Sequence, residues 1–157
     1  MKINVTKALL ADIPAIAEIA AQSFPDPWTE KGFSDELTRE GALLLAAKDE
    51  SENILGYITG DMDESFGYIA SVAVAIPARG QGVGTLLLKE FEKMLPLSAQ
   101  KITLEVRESN SPAISLYEKN GYKQIGVRKN FYGEINVNVN GKIIPRENAI
   151  VMERIIK

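Results

Sequence analysis

The sequence predicts an α+β chain carried on one mixed, largely antiparallel sheet. Two observations lead there. Ala42 to Lys48, Ile54 to Asp61 and Phe66 to Ala75 are successive strand-like runs separated by polar, acidic turns, the spacing of an antiparallel meander. The third run then enters a glycine-rich turn, an apolar helix and a further strand at Lys101 to Arg107. Strand, helix and strand in that order imply a right-handed crossover, and so one parallel pair inside the sheet.

The elements follow in order. Ile3 to Lys7 reads as a short first strand. Asp12 suits an N-cap, with Pro14 tolerated in the first turn and Ile13, Ile16, Ala17, Ile19 and Ala20 forming an apolar helix face. Phe24-Pro25-Asp26-Pro27-Trp28 then breaks the chain, and Thr29-Glu30-Lys31 opens a second short helix with Phe33 and Leu37 inward. The loop with Phe24 and the only tryptophan, Trp28, either lines a groove or is an aromatic loop pinned onto the core. After the meander, Pro77 ends its strand, and Val83, Leu87, Phe91 and Met94 form one side of a helix stopped by Pro96. Ser111 and Pro112 read as N-cap and N1 of the next helix, and Gly121 as its C′ residue. Tyr122 to Tyr132 and Ala149 to Ile155 finish the sheet, and between them Ile135 to Lys142 alternates around an Asn140-Gly141 hairpin turn. Residues 1–157 read as a single domain, with no internal repeat or linker.

Composition narrows the chemistry. Hydrophobic content of 45% and charged content of 25% suit a soluble globular protein. A net charge of −3 argues against nucleic acid as a direct partner. No apolar run is long enough for a membrane span, and Met1-Lys2-Ile3-Asn4 opens no signal peptide, so the cytoplasm and no membrane contact are expected. There is no cysteine and no histidine. Thiolate nucleophiles, Ser-His-Asp triads and Cys or His metal ligands are excluded, and no metal is expected. Proton transfer falls to Asp, Glu, Lys, Tyr, a terminus or water.

Two stretches carry chemistry. In Arg79-Gly80-Gln81-Gly82-Val83-Gly84-Thr85 the glycines remove Cβ atoms where a ligand or a sharp turn would collide with them. Free N–H groups at the following helix start, its dipole and Arg79 together suit a phosphate or pyrophosphate. A plain strand-to-helix connection, with glycines only easing packing, is the alternative. In the second stretch, Ile102, Leu104 and Val106 alternate with Thr103, Glu105 and Arg107, so Glu105 faces away from the most apolar side of its strand. A surface ion pair of Glu105 with Arg107 is the simple explanation of that face. Tyr117 shares a stripe with Ala113 and Ile114, which suits a core-facing ring.

The spacing Arg79-x-x-Gly82-x-Gly84 resembles the Arg/Gln-x-x-Gly-x-Gly/Ala signature of the GNAT acyltransferases. The block from Leu104 to Tyr122 is similar to Leu-Glu-Val-Arg-x-Ser-Asn-x-x-Ala-x-x-Leu-Tyr-x-x-x-Gly-Tyr/Phe of the RimI-type ribosomal-protein-alanine N-acetyltransferases, a branch of GNAT. Phe24, Pro27, Trp28, Thr29 and Phe33, then Arg128 to Tyr132, then Glu147 to Met152 resemble further segments of that branch. The resemblance implies a GNAT fold: about seven strands in one twisted sheet, helices on both faces, splayed between two central parallel strands. It implies acetyl-CoA as co-substrate, its pantetheine against Val72, Ala73 and Val74, its pyrophosphate on the turn from Arg79 through Gly80, Gln81, Gly82, Val83 and Gly84 to Thr85, and contacts from Asn110 and Tyr117. It implies Glu105 as general base and Tyr117 as general acid, with Phe24, Trp28, Glu105, Phe131 and Tyr132 around the acceptor.

The implied reaction is direct acetyl transfer, in a ternary complex, to the N-terminal α-amine of a protein or peptide, extending to an alanine of a ribosomal protein. The implied state is a monomer or weak homodimer. Three departures lie on the acceptor side: Phe131 replaces a tyrosine with Gly133 after the pair, Asn148 stands where aspartate is usual, and the predicted hairpin lengthens a connection. They leave open a lysine side chain or small amine as acceptor, and a non-catalytic CoA- or peptide-binding module as the reading of another class. Glu105 and Tyr117 together argue against the last, since a pure binder needs neither.

Overall fold

A computed structural model describes residues 2–137 and 141–157. In chain order the elements are β1 (Asn4–Lys7), α1 (Ile13–Ser23), α2 (Glu30–Glu36), β2 (Ala42–Lys48), β3 (Ile54–Met62), β4 (Phe66–Val74), α3 (Val83–Met94), β5 (Lys101–Arg107), α4 (Ser111–Lys119), β6 (Lys123–Tyr132), β7 (Ile135–Val137), β8 (Lys142–Ile144) and β9 (Glu147–Ile155). Seven strands form one sheet in the order β1-β2-β3-β4-β5-β9-β6. The meander β1 to β4 is antiparallel, and the crossover through α3 makes β4 and β5 the parallel pair.

That pair is short. It runs from Phe66 opposite Lys101 to Ile69 opposite Leu104, and then the two strands part. At the same level the β3–β4 register slips: Thr59 faces Ser71, Gly60 faces Ile69, and Ala70 is the extra residue. A bulge bends its strand and increases its twist, so β4 turns away from β5 where their pairing stops. This is the expected splay, and it opens a gap between the strand ends.

Helices cover both faces because β2 and β3 are apolar on both. Leu43, Leu45, Ile58, Leu87, Phe91, Ile102, Leu104 and Met152 pack in one core under α3. Ile16, Ala20, Phe33, Leu44, Ala46 and Tyr57 pack in the other, under α1 and α2. Thr59, fully buried, satisfies its hydroxyl by donating to the Leu43 carbonyl at 2.9 Å. Among the described residues no helix is long and apolar enough to cross a membrane.

Helix ends correct the expected caps in places. The second helix opens at Thr29 as expected, and Thr29 is its cap, accepting from the Gly32 N–H at 3.1 Å. Asp12 holds the N-cap position of α1 as expected, but its carboxylate makes no capping bond there: it accepts from the Leu9 N–H at 2.8 Å and pairs with Lys48 at 3.1 Å, because a short 3-10 turn at Leu10–Asp12 precedes the helix. For α4 the cap is Asn110, not Ser111; Asn110 Oδ1 accepts from the Ala113 N–H at 3.3 Å, which shifts Ser111 and Pro112 one position inward. Beyond its C-terminus the Gly121 N–H reaches the Glu118 carbonyl and the Tyr122 N–H the Tyr117 carbonyl, the paired bonds of a Schellman ending. Met94 lies exposed instead of inward, since α3 stops there and Leu95 turns into the core in its place. The connection between β6 and β9 forms a separate two-stranded sheet, with Ile135 opposite Ile144 and Val137 opposite Lys142. Of its expected turn, Asn140 lies outside the described residues, and Gly141 has φ +61°.

Candidate active site

The gap between β4 and β5 is where the sequence candidates meet. The Ala75 N–H donates to the Leu55 carbonyl at 2.8 Å, so alternation along the ladder also turns the backbone of Ala73 toward β3. Val72 and Val74 then turn their N–H and C=O groups to the side that β5 has left. Ala73 is corrected on both counts, since its side chain is buried in the core on the α1 face.

Beyond β4 the turn arrives at α3 with Gly82 at φ +84°, a left-handed conformation that glycine adopts without strain. A Cβ added at Gly80 or Gly82 would meet nothing within 4 Å, so the space over the helix start is open. The first intrahelical bond runs from the Leu86 N–H to the Gly82 carbonyl, leaving the N–H groups of Val83, Gly84 and Thr85 facing that space. Val74, Arg79, Gly80, Gly82, Val83, Gly84 and Thr85 line it together with Ser115 and Lys119 of α4. Free amides, a helix N-terminus and an ammonium suit a pyrophosphate, and the open strand edge beside them suits an extended amide-bearing arm. The residues present therefore fit coenzyme A.

Four members of this turn do structural work as well. Arg79 donates to the Val74 carbonyl at 2.9 Å and to Ser23 Oγ at 3.1 Å, tying the turn to α1 while it lines the cavity. Gln81 donates to the Pro77 carbonyl at 3.2 Å and braces the turn from outside the cavity. Gly84 is small for packing: a Cβ there would come within 2.8 Å of Leu116 Cδ2 on α4. Thr85 accepts from Asn120 Nδ2 at 3.2 Å, a second tie between α3 and the end of α4. Ser115 and Lys119 escaped the sequence reading; they share one face of α4, but only the packing of α4 on α3 aims that face at the turn.

A second cavity fills the gap itself. Its lining includes Phe24, Trp28, Val72, Glu105, Asn110, Tyr117 and Tyr132, so most of the expected site residues come together. Glu105 does not pair with Arg107. Its Oε1 accepts a 2.6 Å hydrogen bond from the Tyr68 hydroxyl, while Arg107 pairs with Glu147 at 3.2 Å and with Asp26 at 3.3 Å and stacks 4.3 Å from the centre of the Tyr132 ring. Burial first, and the facing Glu105 carboxylate second, push the Tyr68 phenol up, so it stays a donor.

Tyr117 is core-facing, as its stripe implies, and lines the cavity as well. Its ring is buried, 5.8 Å from that of Tyr122. Its hydroxyl has no hydrogen-bond partner among the described residues, and burial raises its pKa well above that of a free phenol. Burial thus favours its neutral form. Asn110 lines the same cavity, but its Oδ1 is engaged as the cap of α4, which leaves its amide NH₂ for a ligand. Among the described residues no group of three or more Asp, Glu, His or Cys side chains could hold a metal ion.

Of the acceptor candidates, Phe24, Trp28 and Tyr132 line the cavity and Phe131 does not. Phe131 is exposed, edge-on to Tyr132 at 5.1 Å. The cause is a wide bulge: Arg128 pairs with Ala149 and Tyr132 with Glu147, so Lys129, Asn130 and Phe131 bulge opposite Asn148 alone. Asn130 sits at φ +53° and gives its N–H to Asn148 Oδ1 at 2.9 Å. Burial pushes the Tyr132 phenol up to about 12, against the opposing pull of Arg107. Burial alone would raise the Glu147 carboxyl, but hydrogen bonds from Ser109 and its pairing with Arg107 outweigh that and hold it below the usual range. Tyr68, Asp26 and Glu147 were not singled out from the sequence, since strand register and loop packing create their partnerships.

Residues 13–122 match the model of the acetyltransferase (GNAT) family. The chain is 32% identical over 143 residues to the ribosomal-protein-bS18-alanine N-acetyltransferase of Haemophilus influenzae, covering 90% of each chain. It is 31% identical over 145 residues to an N-alpha-acetyltransferase of Sulfurisphaera tokodaii, covering 83% of this chain and 86% of that one. The crystal structure of the ribosomal-protein-S18-alanine N-acetyltransferase of Escherichia coli superposes with a TM-score of 0.79 at 24% identity, over 99% of this chain and 95% of that one, which shows the same fold. The open edge of β4, the amide-lined turn and the matched span agree: the chain belongs to the GNAT acetyltransferase family.

Proposed function

We propose that this protein transfers the acetyl group of acetyl-CoA to the N-terminal α-amine of a protein, with an alanine of a ribosomal protein as the foremost candidate acceptor, and that it works in the cytoplasm. One observation carries the reading: Glu105, with its Tyr68 hydrogen bond, and the unpartnered Tyr117 wall one cavity at the point where β4 and β5 part. A module that only bound coenzyme A would need neither group. Relatives named as acting on ribosomal-protein alanine and as N-alpha-acetyltransferases support the choice of amine.

Acetyl-CoA supplies a thioester whose carbonyl carbon is open to an amine. Val72, with its N–H and C=O, and Val74, with its N–H, would offer the pantetheine arm a strand edge, and the N–H groups of Val83, Gly84 and Thr85, with Lys119, would hold the pyrophosphate. Tyr68 fixes the Glu105 carboxylate in one orientation. Glu105 takes the proton of the incoming ammonium through a water, since an α-amine of pKa about 8 is mostly protonated at neutral pH. As the C–N bond forms and the C–S bond breaks, Tyr117 gives its phenolic proton to the departing sulfur; the proton that the attacking nitrogen sheds in becoming an amide passes through water to restore the phenol, and Glu105 releases its own proton to solvent.

The test is a library of synthetic peptides differing in the first residue, incubated with acetyl-CoA and read by fragment mass spectrometry. The reading expects the acetyl group on the α-nitrogen, with alanine-first peptides fastest. Acetylation only of lysine side chains or of free small amines would replace this function by the alternative acceptor class.

A further inference from the structure

Arg107 takes no part in the reaction above, yet it is a cation in the cavity wall with its side chain only 10% exposed. A buried charge persists only when other groups partner it. Its partners come from three separate parts of the chain. Nη1 donates to Glu147 Oε1 at 3.2 Å at the start of β9, and the guanidinium stacks on Tyr132 at the end of β6. Nη2 faces Asp26 Oδ2 at 3.3 Å, in the loop between α1 and α2. That loop and the end of β6 both wall the cavity, and Arg107 touches both.

The attachments are unequal. Glu147 is hydrogen-bonded to Arg107, largely buried, and also accepts the Ser109 N–H at 2.7 Å. Asp26 is 52% exposed, and buried Nη2 makes no hydrogen bond despite its closeness. Its loop is held at both ends by packing, Phe24 and Trp28 lying against the core under α1 and α2, and the stretch between them has no other polar tie among the described residues. Among the described residues the backbone of residues 25–28 makes no hydrogen bond, two of the four being proline, and Trp28 rests by its ring on Phe33 at 5.3 Å.

We propose that Arg107 is a positioning residue: anchored on Glu147 and Tyr132, it clamps Asp26 and with it the loop from Phe24 to Trp28 against the cavity, and the loop opens by parting Asp26 from Arg107. The consequence for acceptor binding rests on reading this cavity as the acceptor site. The clamp acts on the acceptor wall and leaves the turn before α3 untouched.

Trp28 is the only tryptophan, so its fluorescence reports the loop directly. Asp26→Asn, at a half-exposed position, should raise the acceptor KM about threefold, the scale of a partly exposed ion pair, and leave acetyl-CoA affinity by calorimetry unchanged. Acrylamide quenching of Trp28 should rise in the same variant. In wild type, going from about 0.1 M to about 1 M salt should move KM and quenching the same way, since screening shortens to about 3 Å; in Asp26→Asn salt should add nothing. Arg107→Lys keeps the charge without the planar fork and should give a smaller change of the same sign.

Unchanged quenching and unchanged acceptor KM in Asp26→Asn would overturn the clamp, whether or not Arg107→Lys folds. If wild type accepted only a small amine, the proposed function would fall, and the same quenching and KM comparison on that amine would still decide the clamp.

Discussion

Tyr68 on β4 donates to Glu105 on β5 at 2.6 Å, and the bond spans the mouth of the splay. Tyr68 is paired with Thr103, two residues before Glu105, and the strands stop pairing one residue later, at Ile69 and Leu104. The tyrosine therefore reaches forward to hold the carboxylate of a residue that β4 no longer pairs, while β9 still pairs it through Val151. Tyr68→Phe keeps the ring and removes that hold, so kcat should fall about tenfold with acetyl-CoA affinity unchanged. Glu105→Gln should cost about 10²-fold or more at neutral pH and recover partly at higher pH, where more of the amine is already free. Steady-state rates across pH check both; wild-type rates in both variants would reduce the pair to a structural bond.

Tyr117→Phe removes one oxygen from a ring packed against Tyr122 and should leave thermal stability nearly unchanged. Turnover should fall while coenzyme binding survives. Because burial keeps the phenol protonated past its ordinary range, the wild-type rate should show no decline at alkaline pH from this group. A pH–rate profile of the two proteins, with calorimetric titration of the donor, separates these outcomes.

How much of this was legible in the sequence depends on what each residue relies on. Strand periodicity and the order strand, turn, helix, strand gave the meander, the parallel pair and the amide-lined turn, because those follow from local pattern and chain connectivity. Glu105 and Tyr117 were visible as candidates, but each had an equally simple structural reading. Which reading applies is decided by non-local contacts: Arg107 is drawn from Glu105 by Glu147 and Asp26, far along the chain in both directions. Phe131 looked as good as Tyr132 because a three-residue bulge leaves no trace in alternation. Lys119 was invisible for a related reason, since helix docking alone brings it to the turn.

The glycines of the turn should separate by mechanism. Gly82→Val forces a β-branched residue into φ +84° and fills space above the helix N-terminus, so it should abolish measurable acetyl-CoA binding. Gly84→Val meets Leu116 first and should destabilise the fold by about 1–3 kcal/mol through overpacking. Leu116→Ala in the Gly84→Val background should restore much of the melting temperature. Equal melting temperatures for Gly84→Val and wild type would contradict the packing role.

Glu147 links stability to pH. Its folded pKa lies below its unfolded value, so its stabilisation is full above the ordinary carboxylate range and fades as pH falls through the folded pKa. Glu147→Gln leaves Arg107 with Asp26 as its one carboxylate partner among the described residues and should cost about 3 kcal/mol at neutral pH. The melting-temperature gap between wild type and variant should hold above neutral pH and shrink on the acid side. A gap independent of pH down to strongly acid conditions would show that the carboxylate contributes no charge interaction.

The central claim is that the gap between β4 and β5 presents the thioester to an α-amine through Glu105. The direct measurement is the initial rate on two versions of one alanine-first peptide containing an internal lysine, one with a free and one with a blocked N-terminus, for wild type and Glu105→Gln. The account predicts fast α-acetylation of the free peptide by wild type, little reaction of the blocked one, and loss of the difference in the variant. Equal wild-type rates on the two peptides, or a Glu105→Gln enzyme that still prefers the free N-terminus at the wild-type rate, would contradict it.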